Sequence, residues 1–178
     1  MAVTRVVWDY IEERDHRLMR RVHRWKAPRC IRVWMLFVTR LGDGWLWYAL
    51  GLLVLAAGGA QRFRAVGTAG IASVAAILLF RLLKKVSKRQ RPCQLEPHCW
   101  AMLSPPDEYS FPSGHTMTAF AITIAVAHFY PECLGCLLFV AVSIGVSRII
   151  LGMHFLTDVL VGAAIGILLG YVSVFALL

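Results

Sequence analysis

Residues 134–178 read LGCLLFVAVSIGVSRIILGMHFLTDVLVGAAIGILLGYVSVFALL. Two apolar stretches, Leu134–Val146 and Val159–Leu178, flank a short segment that carries Ser147, Arg148, His154 and Asp158. Each stretch is too long and continuous for a strand, and a chain in lipid must satisfy its own backbone polar groups, so both are helices. Three ionisable side chains between two such spans are expensive in a bilayer unless they have work to do.

Similar stretches precede this pair at Trp45–Ala60, Ala65–Leu83 and Thr116–Tyr130. Several fall short of the roughly 20 residues of a full crossing, and flanking interfacial residues make up the difference. Gly51, Gly67, Gly70, Gly145, Gly162 and Gly166 lie inside them, as expected where membrane helices approach closely. The 58% hydrophobic content and mean hydropathy of +0.64 exceed the roughly 45–50% apolar usage of soluble chains. The predicted fold class is all-α, a polytopic transmembrane helical bundle of five to six spans. The doubtful span is Ile31–Leu41: with Arg32 and Arg40 in it, it reads as an interfacial or re-entrant piece or else as a sixth crossing.

Before it, Val7, Tyr10, Ile11, Leu18, Met19, Val22 and Trp25 recur mostly at steps of three, four and seven among Arg and Glu. That spacing predicts a basic amphipathic helix on the membrane surface, with a solvated tail as the alternative. The expected division is an interfacial helix over 1–29 and a transmembrane domain over 30–178. Lys and Arg number 19 against 10 acidic residues, a balance that in a soluble protein raises nucleic acid as a partner. Here the cations sit outside the apolar runs, so the expected partners are membrane lipids and phosphate, with no nucleic acid. The five cysteines, at 30, 93, 99, 133 and 136, show no zinc spacing, and the Cys133–Cys136 pair lacks the α/β context of a redox dithiol. Cys93 and Cys99 can pair if their loop faces an oxidising compartment. The charged first thirty residues show no secretory leader.

Three clusters carry chemistry. Lys84 is followed after six residues by Arg91-Pro92, close to two helical turns, so a helix running on from its span would put both cations on one side until Pro92 ends it. Pro112-Ser113-Gly114-His115 stands before an apolar helix, where unpaired amides, a positive dipole end, a hydroxyl and a small residue suit a phosphate. Ser147-Arg148 is followed by His154 and then Asp158; four residues apart on a helix, the last two can meet, and the carboxylate would orient the imidazole. Each cluster also has an ordinary reading: a topological charge run, a turn with a cap, a helix–helix clamp.

Together the clusters resemble the signature of the type 2 phosphatidic acid phosphatase family, Lys-x6-Arg-Pro, Pro-Ser-Gly-His and Ser-Arg-x5-His-x3-Asp, with every position filled from about Leu41 onward. The resemblance implies a membrane lipid phosphatase in which His154 attacks phosphorus, Asp158 orients it, and His115 serves as acid and then base. It also implies that Lys84, Arg91, Arg148 and the groups at Ser113 and Gly114 hold the phosphate, with neither a metal nor a cofactor. The compact design is similar to polyprenyl-diphosphate members, undecaprenyl diphosphate among their substrates, and phosphatidylglycerophosphate or phosphatidate are the alternatives. No Cys-x5-Arg, Arg-His-Gly or Gly-x4-Gly-Lys element offers another phosphatase or nucleotide chemistry.

The expected location is the cell (inner) membrane. Only Arg62 and Arg64 of the Lys and Arg residues fall opposite the site in a five-span chain, which by the positive-inside rule points to a cytoplasmic site. A sixth span through Ile31–Leu41 would turn the site outward. A non-catalytic transporter or scaffold and a haloperoxidase with the same site residues are the rival readings.

Overall fold

The computed structural model describes residues 2–25, 27–95 and 107–177. Among the described residues every regular element is helical: α1 (Ala2–Arg24), α2 (Arg29–Leu41), α3 (Trp45–Ala57), α4 (Arg62–Ser87), a one-turn α5 (Pro92–Leu95), α6 (Gly114–Phe129), α7 (Leu134–Ile150) and α8 (Leu156–Leu177). Short 3₁₀ turns at Gly59–Gln61 and Pro131–Cys133 reverse the chain at the end away from the three clusters.

α6 is the axis of the bundle, packed against α4, α7 and α8. Its apolar residues are small where neighbours come close: Ala121 and Ala125 bury against Ala72 and Ala76 of α4, with Met117 filling between. α8 presents Gly162, Gly166 and Gly170 to it at every fourth position. A Cβ would come within 2.7 Å of the Ser113 carbonyl at Gly162 and 2.6 Å of Ile124 at Gly170, and would collide with the Met117 carbonyl at Gly166. This small-residue stripe lets two membrane helices touch along their backbones, which is how helices associate where water drives nothing together.

The outward faces are apolar as well, with Phe63, Leu78, Phe139, Leu160, Leu168 and Phe175 exposed. The helical stretches Gly59–Leu95, Pro131–Ile150 and Leu156–Leu177 are long and apolar enough to cross a membrane, and α3 is a shorter apolar helix. The chain is an integral membrane protein, a transmembrane helical bundle.

α2 follows the site end of α7. Its Ile31 and Met35 pack with Ile150, Leu151 and Met153, Val38 packs with Ala119, Ala141 and Ile144, and Gly42 beyond its end lies beside Ile144 and His115. Both ends of α2 stay near one end of the bundle, the course of a re-entrant piece. α1 lies over the same end, in contact with α7 and α8. Met19 is fully buried there, and the His16 ring meets Phe155 edge-on at 4.9 Å.

Candidate active site

All eight residues singled out in the sequence come to this end of the bundle, although two of the local geometries differ from expectation. α4 stops at Ser87, with Lys88 in the left-handed region at φ 49°, so Lys84 and Arg91 are not on one continuous helix. Pro92 opens α5 rather than closing α4. The two cations converge through the turn instead, and Asp107 shows where. Lys84 Nζ donates to Asp107 Oδ2 at 2.6 Å, and Arg91 donates to Asp107 Oδ1 at 2.5 Å and to the Asp107 carbonyl at 3.0 Å. Burial pushes the Asp107 carboxyl up, but the hydrogen bonds and charges of Lys84 and Arg91 outweigh this and leave it below its ordinary value. An ionised carboxylate thus bridges two cations as a phosphoryl group's oxygens could.

The second difference concerns His154 and Asp158, expected as neighbours one helical turn apart. His154 precedes α8 rather than lying on it. The turn that presents it closes on Arg148, whose carbonyl accepts the N–H groups of Met153 and His154 at 2.9 and 3.1 Å, with Gly152 at φ 67°. Asp158, in the first turn of α8, accepts the Phe155 N–H at 2.8 Å and a guanidinium hydrogen bond from Arg89 at 2.7 Å. Its Oδ2 lies 3.7 Å from His154 Nδ1, beyond hydrogen-bond reach but well within electrostatic reach.

The His154 ring is 1% exposed. Its Nε2 lies 3.3 Å from Arg91 Nη1, and that nitrogen also donates to the Met153 carbonyl at 2.7 Å. A guanidinium has no acceptor, so Nε2 carries the lone pair and the ring proton sits on Nδ1, facing Asp158. Burial, followed by the fields of Arg148, Arg91 and Lys84, holds this imidazole well below its usual titration range. His154 is therefore neutral, with its lone pair turned toward the cations.

Arg148 spends one guanidinium nitrogen on Thr39 Oγ1 at 2.7 Å. Its Nε and Nη2 are buried with no partner among the described residues, as is His154 Nδ1. Buried donors without acceptors are costly, and an anionic ligand would supply the acceptor.

At the start of α6, Ser113 is buried, its N–H given to the Asp158 carbonyl at 3.0 Å and its hydroxyl 2.9 Å from that of Thr116. The space a Cβ at Gly114 would need is taken by the Phe80 ring, about which it would crowd at 3.0 Å. These two positions fasten α6 to α8 and α4, and Gly114 also lines the hollows of the site. His115 points outward, Nε2 2.7 Å from Asp43 Oδ1. Asp43 stands in the turn between α2 and α3, where Gly44 adopts φ 126°. The His115 hydrogen bond, opposed by burial, holds the Asp43 carboxyl below its ordinary value.

Two hollows share Phe80, Gly114 and His115. One, of about 590 Å³, is lined by Arg81, Lys84, Lys85, Asp107, Glu108 and Tyr109. The other, of about 380 Å³, runs between α3, α4 and α6 past Trp47, Tyr48, Ile77, Thr118 and Ile122. A charged chamber therefore opens beside an apolar cleft, with His115 at the junction.

Sequence reasoning missed Asp43, Asp107, Arg89, Thr39 and Asp15. Asp43 alone had a local signal, a carboxylate set between two glycines at the edge of an apolar run. The others are joined to the site only across 16 to 142 positions of chain, which no spacing rule registers. Cys99 lies outside the described residues, and with it the expected option of a Cys93–Cys99 pair. Among the described residues, no three His, Cys, Asp or Glu side chains gather to hold a metal ion.

The PAP2 superfamily model matches residues 65–177. Phosphatidylglycerophosphatase B of Bacillus subtilis is 37% identical over 103 residues, covering 52% of this chain and 48% of that protein, so the match spans about half the length of this relative. The undecaprenyl-diphosphatase of Sulfolobus acidocaldarius is 28% identical over 142 residues, covering 79% of this chain and 68% of its own. The crystal structure of Aquifex aeolicus LpxE superposes with a TM-score of 0.78 at 29% identity, over 89% of this chain and 93% of that one.

Proposed function

This chain belongs to the PAP2 superfamily, and from that premise we propose that it is a membrane phosphatase that takes a phosphoryl group from a lipid phosphate or diphosphate through a phosphohistidine on His154. The observation that carries this reading is the electrical state of His154: a buried, neutral imidazole whose lone pair faces Arg91 and lies in the fields of Arg148 and Lys84. Such a group is a nucleophile without first losing a proton.

In this reading the substrate phosphate displaces the Asp107 carboxylate from Lys84 and Arg91 and gives the buried Arg148 nitrogens their acceptor. His154 Nε2 then forms a bond to phosphorus as the bond from phosphorus to the leaving oxygen breaks, and His115 protonates that oxygen. The phosphorylated ring keeps its Nδ1 proton, and Asp158 offsets its positive charge. His115 next takes a proton from water, the water oxygen bonds to phosphorus, and the nitrogen–phosphorus bond breaks to release phosphate and restore His154. Phosphoryl transfer demands mainly positioning and charge stabilisation. Lys84, Arg91 and Arg148, aided by the start of α6 at Ser113 and Gly114, supply both, and the reaction uses no metal or cofactor.

The apolar cleft beside His115 favours a lipid, because a tail can lie between α3, α4 and α6 while its head enters the charged chamber. Arg81 and Lys85 line that chamber in addition to Lys84, which favours a diphosphate. The preferred substrate is therefore a polyprenyl diphosphate such as undecaprenyl diphosphate, ahead of phosphatidylglycerophosphate and phosphatidate. The protein works in the cell membrane, with residues 1–29 as an interfacial helix and 30–178 as the phosphatase domain. Phosphate release by the purified protein from these three lipids and from a soluble phosphate ester tests the proposal. Release from the lipids is expected, fastest from the polyprenyl diphosphate, unaffected by EDTA and inhibited by vanadate. No release from any lipid would defeat the enzymatic reading, and strong inhibition by EDTA would defeat charge stabilisation by side chains alone.

A further inference from the structure

The most costly residue on the N-terminal helix is one that a surface helix has no use for. Asp15 is 3% exposed, while Glu13, Arg14 and Arg17 around it face outward. A carboxylate taken out of water needs good partners in return. Asp15 has them in two places distant in sequence: Arg89 Nη2 donates to its Oδ2 at 2.8 Å, and Thr157 gives it both its hydroxyl and, at 3.3 Å, its N–H.

One of those partners, Arg89, also holds Asp158, and Thr157 braces it there. Arg89 Nη1 donates to Asp158 Oδ1 at 2.7 Å and to Thr157 Oγ1 at 2.8 Å, and the guanidinium lies over the Phe155 ring at 4.3 Å. Arg89 is thus a single positive charge clamped between two carboxylates. If Asp15 were absent, Arg89 would neutralise Asp158 by itself. His154 would then face Arg148, Arg91 and Lys84, with His115 nearby, and have no counter-charge as its ring becomes cationic on phosphorylation. With Asp15 present, the trio of Asp15, Arg89 and Asp158 carries a net negative charge next to His154 Nδ1.

We propose that Asp15 is a positioning residue that acts through Arg89 and Thr157 on Asp158, so that docking of α1 on the bundle is required for full turnover. The inference rests on the phosphatase reading above. α1 also exposes Trp8 and Tyr10, with Trp25 exposed just beyond its end, side chains suited to a membrane interface, and so the helix ties the seating of the protein on lipid to the electrostatics of its nucleophile.

Phosphate release from a polyprenyl diphosphate by the full chain tests this. Asp15→Asn keeps the shape and removes the charge. The expected result is a kcat lower by about tenfold with KM within about twofold, and an acid limb of kcat/KM moved to lower pH, because loss of a nearby negative charge disfavours the protonated imidazole. Combined with Arg89→Gln, it should cost no more than Arg89→Gln alone, since both act through one clamp. A kcat within about twofold of the parent with an unmoved acid limb, or losses that simply multiply in the double variant, would overturn the proposal. If Asp15→Asn yields no folded protein, Thr157→Val carries the test, and an unchanged kcat there overturns it equally. Failure of the unaltered chain to release phosphate would instead strike the phosphatase reading itself.

Discussion

His154 and His115 are the same side chain in two electrical settings. The first is sealed in, 1% exposed, surrounded by cations and separated from its carboxylate by 3.7 Å. The second opens on the cleft with 17% of its side chain exposed, and its Nε2 meets Asp43, itself 55% exposed, at 2.7 Å. Burial among cations favours the neutral form of one ring, the form that the proposed nucleophile needs. The other ring differs in its direct contact with a carboxylate, Asp43, and is the one proposed to give and take the proton. In that proposal the two roles follow from the surroundings and not from the residue type.

The largest expected effect comes from removing the sealed ring. His154→Ala should lower phosphate release at least about a thousandfold and abolish any acid-labile phosphoenzyme; retention of activity within about tenfold would undo the assignment. His115→Ala should cost about a hundredfold while leaving phosphoenzyme formation detectable with substrates that have a good leaving group. Loss of the phosphoenzyme itself would mean the two roles are misassigned. Asp43→Asn removes the carboxylate that supports His115 and should cost about tenfold in kcat, with little change in KM; a change confined to KM would make Asp43 a binding residue instead.

The acid side of the pH profile sharpens the comparison further. His154 is held well below its usual range by burial and then by cations, so it stays neutral as pH falls through the ordinary imidazole value of about 6.5. Because the lowered value extends the neutral, reactive form toward acid, residual kcat/KM in a His115→Asn variant should hold its level down through that pH. A limb near 6.5 in that variant would contradict a neutral, cation-flanked nucleophile. The mildest test leaves activity untouched. Both rings share one membrane face with Cys30 at the start of α2, so Cys30 should react with an impermeant thiol reagent from the side opposite to Cys133 and Cys136. Reaction of all three from one side would make α2 a sixth crossing.

Much of the candidate site was legible because its residues lie in short strings. Lys84 with Arg91, Ser113 with His115, and Arg148 with His154 and Asp158 each occupy a stretch at the end of a span, and the order of spans brings those ends together. The local geometry was less legible. A seven-residue interval implied a continuous helix between Lys84 and Arg91, yet Lys88 turns the chain at φ 49°, and the two side chains still meet on Asp107. A four-residue interval implied a helical His154–Asp158 pair, yet Asp158 instead caps Phe155 at the start of α8.

The apolar runs determined unaided that this chain crosses a membrane as helices, because backbone groups in lipid permit little else, and the glycines inside them marked helices that approach closely. The protonation state of His154, the carboxylate resting between Lys84 and Arg91, and the reach of Asp15 into the Asp158 network were decided by tertiary structure alone. Helix formation depends on neighbours within a few residues, whereas the field at a buried ring is a sum over charges that the chain brings together from distant positions.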